Sequence, residues 1–159
     1  MPTGFKKLDG VLEGGLYEGL YFIGGISSLG KTTLAQQITD QIAEAGGDVL
    51  IFSLEMSRTE LISKTVSRLT LLDIIQNNGN TRDAKTARGI TTGTRYFNYS
   101  PTEKALINRA VTTYSQFAEH IFIHEGIGDI GVDAVRAEVA KHIKYTGKKP
   151  VVLIDYVQI

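Results

Sequence analysis

The sequence predicts an α/β domain: a mostly parallel sheet with helices on both faces. Three observations carry that expectation. Residues 25–32 complete a G-x-x-x-x-G-K-[ST] pattern between the apolar run Leu20-Tyr21-Phe22-Ile23 and a helical pattern beginning at Thr33. That is the strand–loop–helix order a phosphate-binding loop requires. The runs Val49-Leu50-Ile51-Phe52 and Val151-Val152-Leu153-Ile154 are apolar without alternation, as strands covered on both faces are. A helical pattern precedes each, which is the βαβ arrangement of a parallel sheet.

The opening, residues 3–16, is glycine-rich, with Phe5, Leu8, Val11 and Leu12 at helical spacing. It predicts a short turn packed on the sheet, broken by Gly14-Gly15 and Gly19 before the first strand at residues 20–23. In the loop itself, Gly25 and Gly30 let the backbone turn so that successive N–H groups converge on phosphate oxygens. The following helix adds its unpaired N–H groups and the positive end of its dipole. Lys31 is placed to reach the β- and γ-phosphates, and the Thr32 hydroxyl to ligate Mg2+. Ser27, Ser28 and Thr33 complete the nucleotide-binding set.

Leu34, Ile38 and Ile42 then recur every four residues until Gly46-Gly47 ends the helix. The strand at residues 49–52 runs into Ser53-Leu54-Glu55-Met56-Ser57. Ser57 with Glu60 forms a capping box that starts a helix with Leu61, Ile62, Thr65, Val66 and Leu69 facing inward. Glu55 therefore stands at the carboxyl end of a parallel strand, the edge where ligands bind in open α/β sheets. An acid there equally complements a helix dipole, and spacing alone leaves both readings open.

Residues 76–98 turn polar, with Arg82, Lys85, Arg88 and Arg95 against a single acid, Asp83. Such a stretch offers a mobile basic surface for phosphates or nucleic acid, although its ordinary role is a solvated excursion. Ser100-Pro101-Thr102-Glu103 combines an N-cap, proline at N1 and a reciprocal glutamate, and predicts a helix to about Ala118. Residues 121–123 read as a strand leading to a loop with Gly126, Gly128 and Gly131. Val132, Val135, Val139 and Ile143 form the next helix stripe. The strand at 151–154 ends in Asp155, the Walker B form, whose carboxylate holds Mg2+ directly or through water.

Composition narrows the class. Seventeen Lys and Arg balance seventeen Asp and Glu, so no global charge points to nucleic acid or an acidic membrane. The absence of cysteine excludes disulfides and cysteine-ligated metals and fits a reducing compartment. No run approaches the roughly 20 apolar residues of a membrane span, and no signal-peptide core opens the chain. A soluble cytoplasmic domain is the expectation, with His120, His124 and His142 as surface or packing residues.

Thr3-Gly4-Phe5 with Leu8-Asp9, then Gly14-Gly15-Leu16, Gly19 and the loop, resemble the opening of RecA-like motor domains. Ser53-Leu54-Glu55-Met56-Ser57 and Ile154-Asp155-Tyr156-Val157-Gln158 resemble motifs of replicative DNA helicases of the DnaB type. The resemblance covers essentially the whole chain and implies a RecA-like P-loop NTPase, residues 1–159 forming the N-terminal portion of one ATPase domain. It implies ATP and Mg2+ as cofactors, Lys31 and Glu55 as catalytic residues, and Thr32 and Asp155 as metal ligands. It assigns Glu55 to polarising the attacking water and places Thr33 near the α-phosphate. Implied partners are single-stranded DNA, further copies in a hexameric ring, and a helicase loader or primase, with no membrane.

The same resemblance expects a further strand between the loop strand and the Walker B strand, and later a DNA-contacting loop and an arginine finger. None has a counterpart within the 159 residues. Residues 1–159 therefore read as the front part of a motor domain, its sheet incomplete at the C-terminal end, and by themselves weakly active or inactive. The alternatives are a RecA- or KaiC-like ATPase without helicase activity and a non-hydrolytic nucleotide-binding assembly module. A small-molecule P-loop kinase fits less well, because no compact arginine-rich lid is visible beyond residues 82–95.

Overall fold

Parallel strands need long crossovers, and the chain supplies them with helices. The computed structural model describes residues 1–126 and 131–155. Its elements are α1 (Lys6–Val11), α2 (Lys31–Glu44), β1 (Val49–Ser53), α3 (Arg58–Gln76), α4 (Ala87–Thr91), α5 (Gly93–Asn98), α6 (Pro101–Ser115), β2 (Ile121–Glu125), α7 (Val132–Thr146) and β3 (Val151–Asp155), with short 3-10 turns at Thr81–Asp83 and Ala118–His120. Gly128 and residues 156–159, which include Tyr156, Val157 and Gln158 of the sequence motif, lie outside the described residues.

The chain divides into two compact units, one of residues Met1–Glu55 with Glu119–Ile159 and one of Met56–Ala118. The first holds a three-stranded, all-parallel sheet in the order β2-β1-β3. Every residue of β1 is buried. Since side chains alternate between faces, the central strand is covered on both. Helix α2 packs on β1 and β3 through Ala35, Ile38, Ile42 and Ala43. Gly46, at φ 84, turns the chain out of the helix, where a β-carbon would be strained.

Two expectations fail here. Residues 20–23 pair with no strand among the described residues, and Leu20 and Phe22 are 80% and 83% exposed. An apolar run becomes a strand only through a hydrogen-bonded neighbour, and the strand expected between it and β3 is not among the described residues. The opening turn does form as α1, but none of its residues is buried and Val11 is largely exposed. Asp9 instead ties it down locally, accepting hydrogen bonds from the Thr3 backbone N–H at 2.6 Å and hydroxyl at 2.7 Å.

The amino edge of the sheet is held by a cluster that spacing does not announce. Asp48, the residue before β1, is buried between His120 Nδ1 at 2.8 Å and His142 Nε2 at 3.0 Å, with Lys148 Nζ at 3.7 Å. Burial pushes the Asp48 carboxyl up, but the two imidazole hydrogen bonds and the Lys148 charge outweigh it and leave it below the ordinary value. An ionised carboxylate only accepts, so both ring nitrogens donate to it. His142 is the buried residue of α7 and sits edge-on to Phe122 of β2 at 4.8 Å. His124 stacks on Phe52 at 4.7 Å. The histidines are thus packing residues, as expected, and two of them anchor a buried charge.

The second unit is helical. Helix α3 packs on α6, on α4 and on the Thr81–Asp83 turn. Both capping boxes form, Ser57 with Glu60 and Ser100 with Glu103. Helix α6 ends at Ser115, slightly before the expected boundary. Arg109 on α6 grips Asp73 on α3 with two hydrogen bonds of 3.0 and 2.7 Å, the bidentate geometry that suits guanidinium and carboxylate. Lys85 pairs with Glu103 and lies 4.8 Å from the Tyr99 ring centroid.

The Lys85 hydrogen bond, followed by the backbone and hydroxyl of Ser100, lowers Glu103 to about 2 from 4.5. A carboxylate lowered by folding contributes stability above its unfolded value that is lost as pH falls through its folded value. Urea midpoints should therefore drop between pH 4.5 and about 2, and Glu103→Gln should flatten that part of the acid slope. An unchanged slope in the variant would mean the pair adds nothing to stability.

Candidate functional site

A phosphate-binding loop needs backbone donors free to turn outward, and the start of α2 provides them. Gly30, at φ 92, is the N-cap of α2, and no side chain caps the helix. The first intrahelical bond runs from Leu34 N–H to the Gly30 carbonyl, so the N–H groups of Lys31, Thr32 and Thr33 precede the ladder. Ser28 also takes the left-handed conformation, at φ 63, and with Ser27 forms the exposed turn of the loop. A β-carbon on Gly25 would come within 3.1 Å of Leu29 Cδ2. Lys31 closes the loop on itself, its Nζ donating to the carbonyls of Gly25 at 2.9 Å and Ile26 at 3.0 Å.

The fold decides where this helix end points. Helix α2 leads directly into β1 and packs against β1 and β3, so it runs back along the strands. Its 14 residues span about 21 Å, against about 17 Å for the five residues of β1. The amino end of α2 therefore lies at the carboxyl edge of the sheet. At that edge Ser53, Glu125 and Asp155 stand in register on adjacent strands, and Leu54 N–H donates to the Asp155 carbonyl at 2.8 Å.

Asp155 Oδ2 is buried and has no hydrogen-bond partner among the described residues. A buried carboxylate oxygen without a donor is costly, and a cation completes it. Among the described residues no three His, Cys, Asp or Glu side chains could enclose a metal ion by themselves. Mg2+ does not need such a cage, since it is commonly held by one or two protein groups together with substrate phosphates and water. Asp155 and the Thr32 hydroxyl fit that role.

Glu55 lies two residues beyond β1, exposed, with no hydrogen bond or ion pair among the described residues. The structure thus gathers Lys31, Thr32, Thr33 and Asp155 at one edge and puts Glu55 just past the central strand of the same edge. It adds Glu125, which closes β2 as Asp155 closes β3. An acid ending an apolar run is a signal that both positions carry, and spacing alone singles out only Asp155.

A family model described as "DnaB-like helicase C terminal domain" matches residues 1–159. The chain is 28% identical over 158 residues to the "Probable replicative DNA helicase" of Guillardia theta, covering 99% of this chain and 23% of that protein. It is 25% identical over 160 residues to the "Replicative DNA helicase DnaB" of Geobacillus stearothermophilus, covering 100% of this chain and 31% of that protein. The chain thus spans under a third of the length of these relatives. Among solved structures it is similar to one described as an "ATPase Domain", with a TM-score of 0.77 and 22% identity over 98% of this chain and 49% of that one. A structure titled as a DnaB-like replicative helicase and its interactions with primase has a TM-score of 0.62 and 21% identity over 82% of this chain and 27% of that one. At those identities the structural likeness establishes the RecA-like fold expected from the sequence, while the family match runs from the first residue to the last. This chain belongs to the DnaB-like helicase C-terminal domain family.

Proposed function

We propose that this chain binds ATP with Mg2+ and forms part of a motor that hydrolyses the γ-phosphate to drive a replicative-type DNA helicase along single-stranded DNA. The observation that carries the reading is the buried, unpartnered Asp155 Oδ2 at the edge of the sheet where the uncapped end of α2 emerges. The N–H groups at the start of α2 and the backbone of Gly25, Ser27, Ser28 and Gly30 cradle the phosphates. Lys31 exchanges its two loop carbonyls for phosphate oxygens, and Thr33 lies toward the α-phosphate. Thr32 and Asp155 hold Mg2+, which neutralises charge that develops on the phosphate oxygens.

Glu55 orients the attacking water and accepts its proton, leaving ADP and inorganic phosphate. An exposed carboxylate free of other partners among the described residues is available for that task. The relatives named as replicative helicases favour DNA as the track, further copies of the chain as ring neighbours, and a primase or loader as partner. No helix among the described residues is long and apolar enough to cross a membrane, and the working compartment we assign is the cytoplasm.

Glu55→Gln and Asp155→Asn test the assignment by separate readouts. Phosphate release should fall on the order of 10²–10⁴-fold in Glu55→Gln, with binding of a fluorescent ATP analogue retained. In Asp155→Asn, the Mg2+ dependence of that binding should be lost. Release and Mg2+ dependence untouched by both changes would point instead to a non-hydrolytic module.

A further inference from the structure

We propose that the helical unit Met56–Ala118 carries a binding surface for a single strand of nucleic acid, formed by Arg82, Arg88, Arg95 and the exposed ring of Phe97. The chain as a whole is neutral, but its charge is partitioned. The unit at 56–118 holds nine Lys and Arg against four Asp and Glu, and the remaining residues hold eight against thirteen. A polyanion therefore meets a local field that the overall composition conceals.

Several of the nine cations are already engaged. Lys85 is taken by Glu103 and the Tyr99 ring, and Arg109 by Asp73. Lys104 donates to the Phe97 carbonyl at 3.0 Å and lies over the Tyr96 ring. Arg82, Arg88 and Arg95 are exposed, and none has a carboxylate partner among the described residues. They occupy three successive elements, the Thr81–Asp83 turn, α4 and α5.

These elements are pinned. Ser67 Oγ donates to the Lys85 carbonyl at 2.6 Å, and Lys85 N–H to Thr70 Oγ1 at 3.0 Å. The Tyr99 hydroxyl sits so close over Gly89 that a β-carbon there would be 2.5 Å away. Arginines on a fixed backbone lose less freedom on binding than those of a floppy tail.

Phe97, on the same helix as Arg95, is 79% exposed. A lone exposed apolar residue is ordinary. Beside uncommitted arginines, its ring is the stacking platform that single-strand binders pair with a basic track. That choice separates the candidate partners. A duplex keeps its bases stacked on one another and offers the ring nothing, and an acidic polypeptide satisfies the arginines without a base to stack.

The inference extends the proposed DNA-directed function, and its test involves no nucleotide, so its failure leaves the ATPase reading standing. Anisotropy of a labelled oligothymidylate is titrated with the full chain at several salt concentrations. Neutralising three phosphates on a single strand gives a slope of log affinity against log salt of about −2. The combined variant R82Q/R88Q/R95Q should lose most of that slope, with far-ultraviolet circular dichroism confirming that it folds. Phe97→Ala should weaken binding roughly 5- to 100-fold and leave the slope intact. No binding by the folded chain overturns the proposal, as does equal binding by the arginine variant. Competition by polyglutamate as effective as by oligothymidylate, with Phe97→Ala silent, overturns it in favour of an acidic protein partner.

Discussion

Lys31→Ala is expected to reduce ATP turnover on the order of 10²–10³-fold, the usual cost of deleting one donor aimed at developing charge. The reason is partly visible before any nucleotide arrives. The Lys31 ammonium bridges the Gly25 and Ile26 carbonyls, so it both gives the loop its closed shape and carries the charge that phosphates need. Alanine removes the charge and the bridge together. Arginine restores the charge but not the compact, rotatable ammonium, so Lys31→Arg should recover little. Phosphate release and binding of a fluorescent ATP analogue, measured side by side, check both statements. Turnover that survives in Lys31→Ala would show that the loop is not the catalytic phosphate site.

The second large effect is expected far from the nucleotide. Asp48→Ala should destabilise the fold by about 3–5 kcal/mol, as removal of one partner from a buried charge cluster does. Two imidazole N–H donors and the Lys148 ammonium would face an apolar gap at the start of all three strands, since Asp48, His120 and Lys148 precede β1, β2 and β3. Asp48→Asn keeps one acceptor but turns an amide donor toward a ring donor, and should cost less, about 1–3 kcal/mol. Because folding lowers the Asp48 pKa beneath 3.8, its contribution is complete above that pH and fades as pH falls through the folded value. Urea unfolding at neutral pH measures the cost, and repeating it below pH 4 should bring wild type and Asp48→Asn closer together. A neutral-pH midpoint unchanged in Asp48→Ala would show that the cluster is ornamental.

The features legible in the sequence are those whose partners lie within a few residues. Ser57 with Glu60 and Ser100 with Glu103 cap their helices because each pair spans one helical turn. The loop at 25–32 is legible for the same reason: Gly30 at positive φ, Lys31 and Thr32 are set by local backbone geometry. Four consecutive apolar residues likewise announce β1, which is buried throughout.

Distant partners govern the rest. Residues 20–23 have the composition of a strand but no neighbour to pair with among the described residues, and strand character is a property of the pair. The stripe of α7 has the right period, yet its buried residue is His142, drawn inward by a carboxylate 94 positions away in sequence. Lys85 reads as one more cation of a basic run, and only the fold brings Glu103 and Tyr99 beside it.

The sequence by itself determined the nucleotide loop, the caps and the family, because local spacing and backbone conformation encode them. Only the tertiary structure brought Asp155 to the edge where α2 begins, joined Asp48 to two histidines, and separated the engaged cations from Arg82, Arg88 and Arg95. Each of those depends on which residues meet across the fold, and in a single chain read in order nothing marks that meeting.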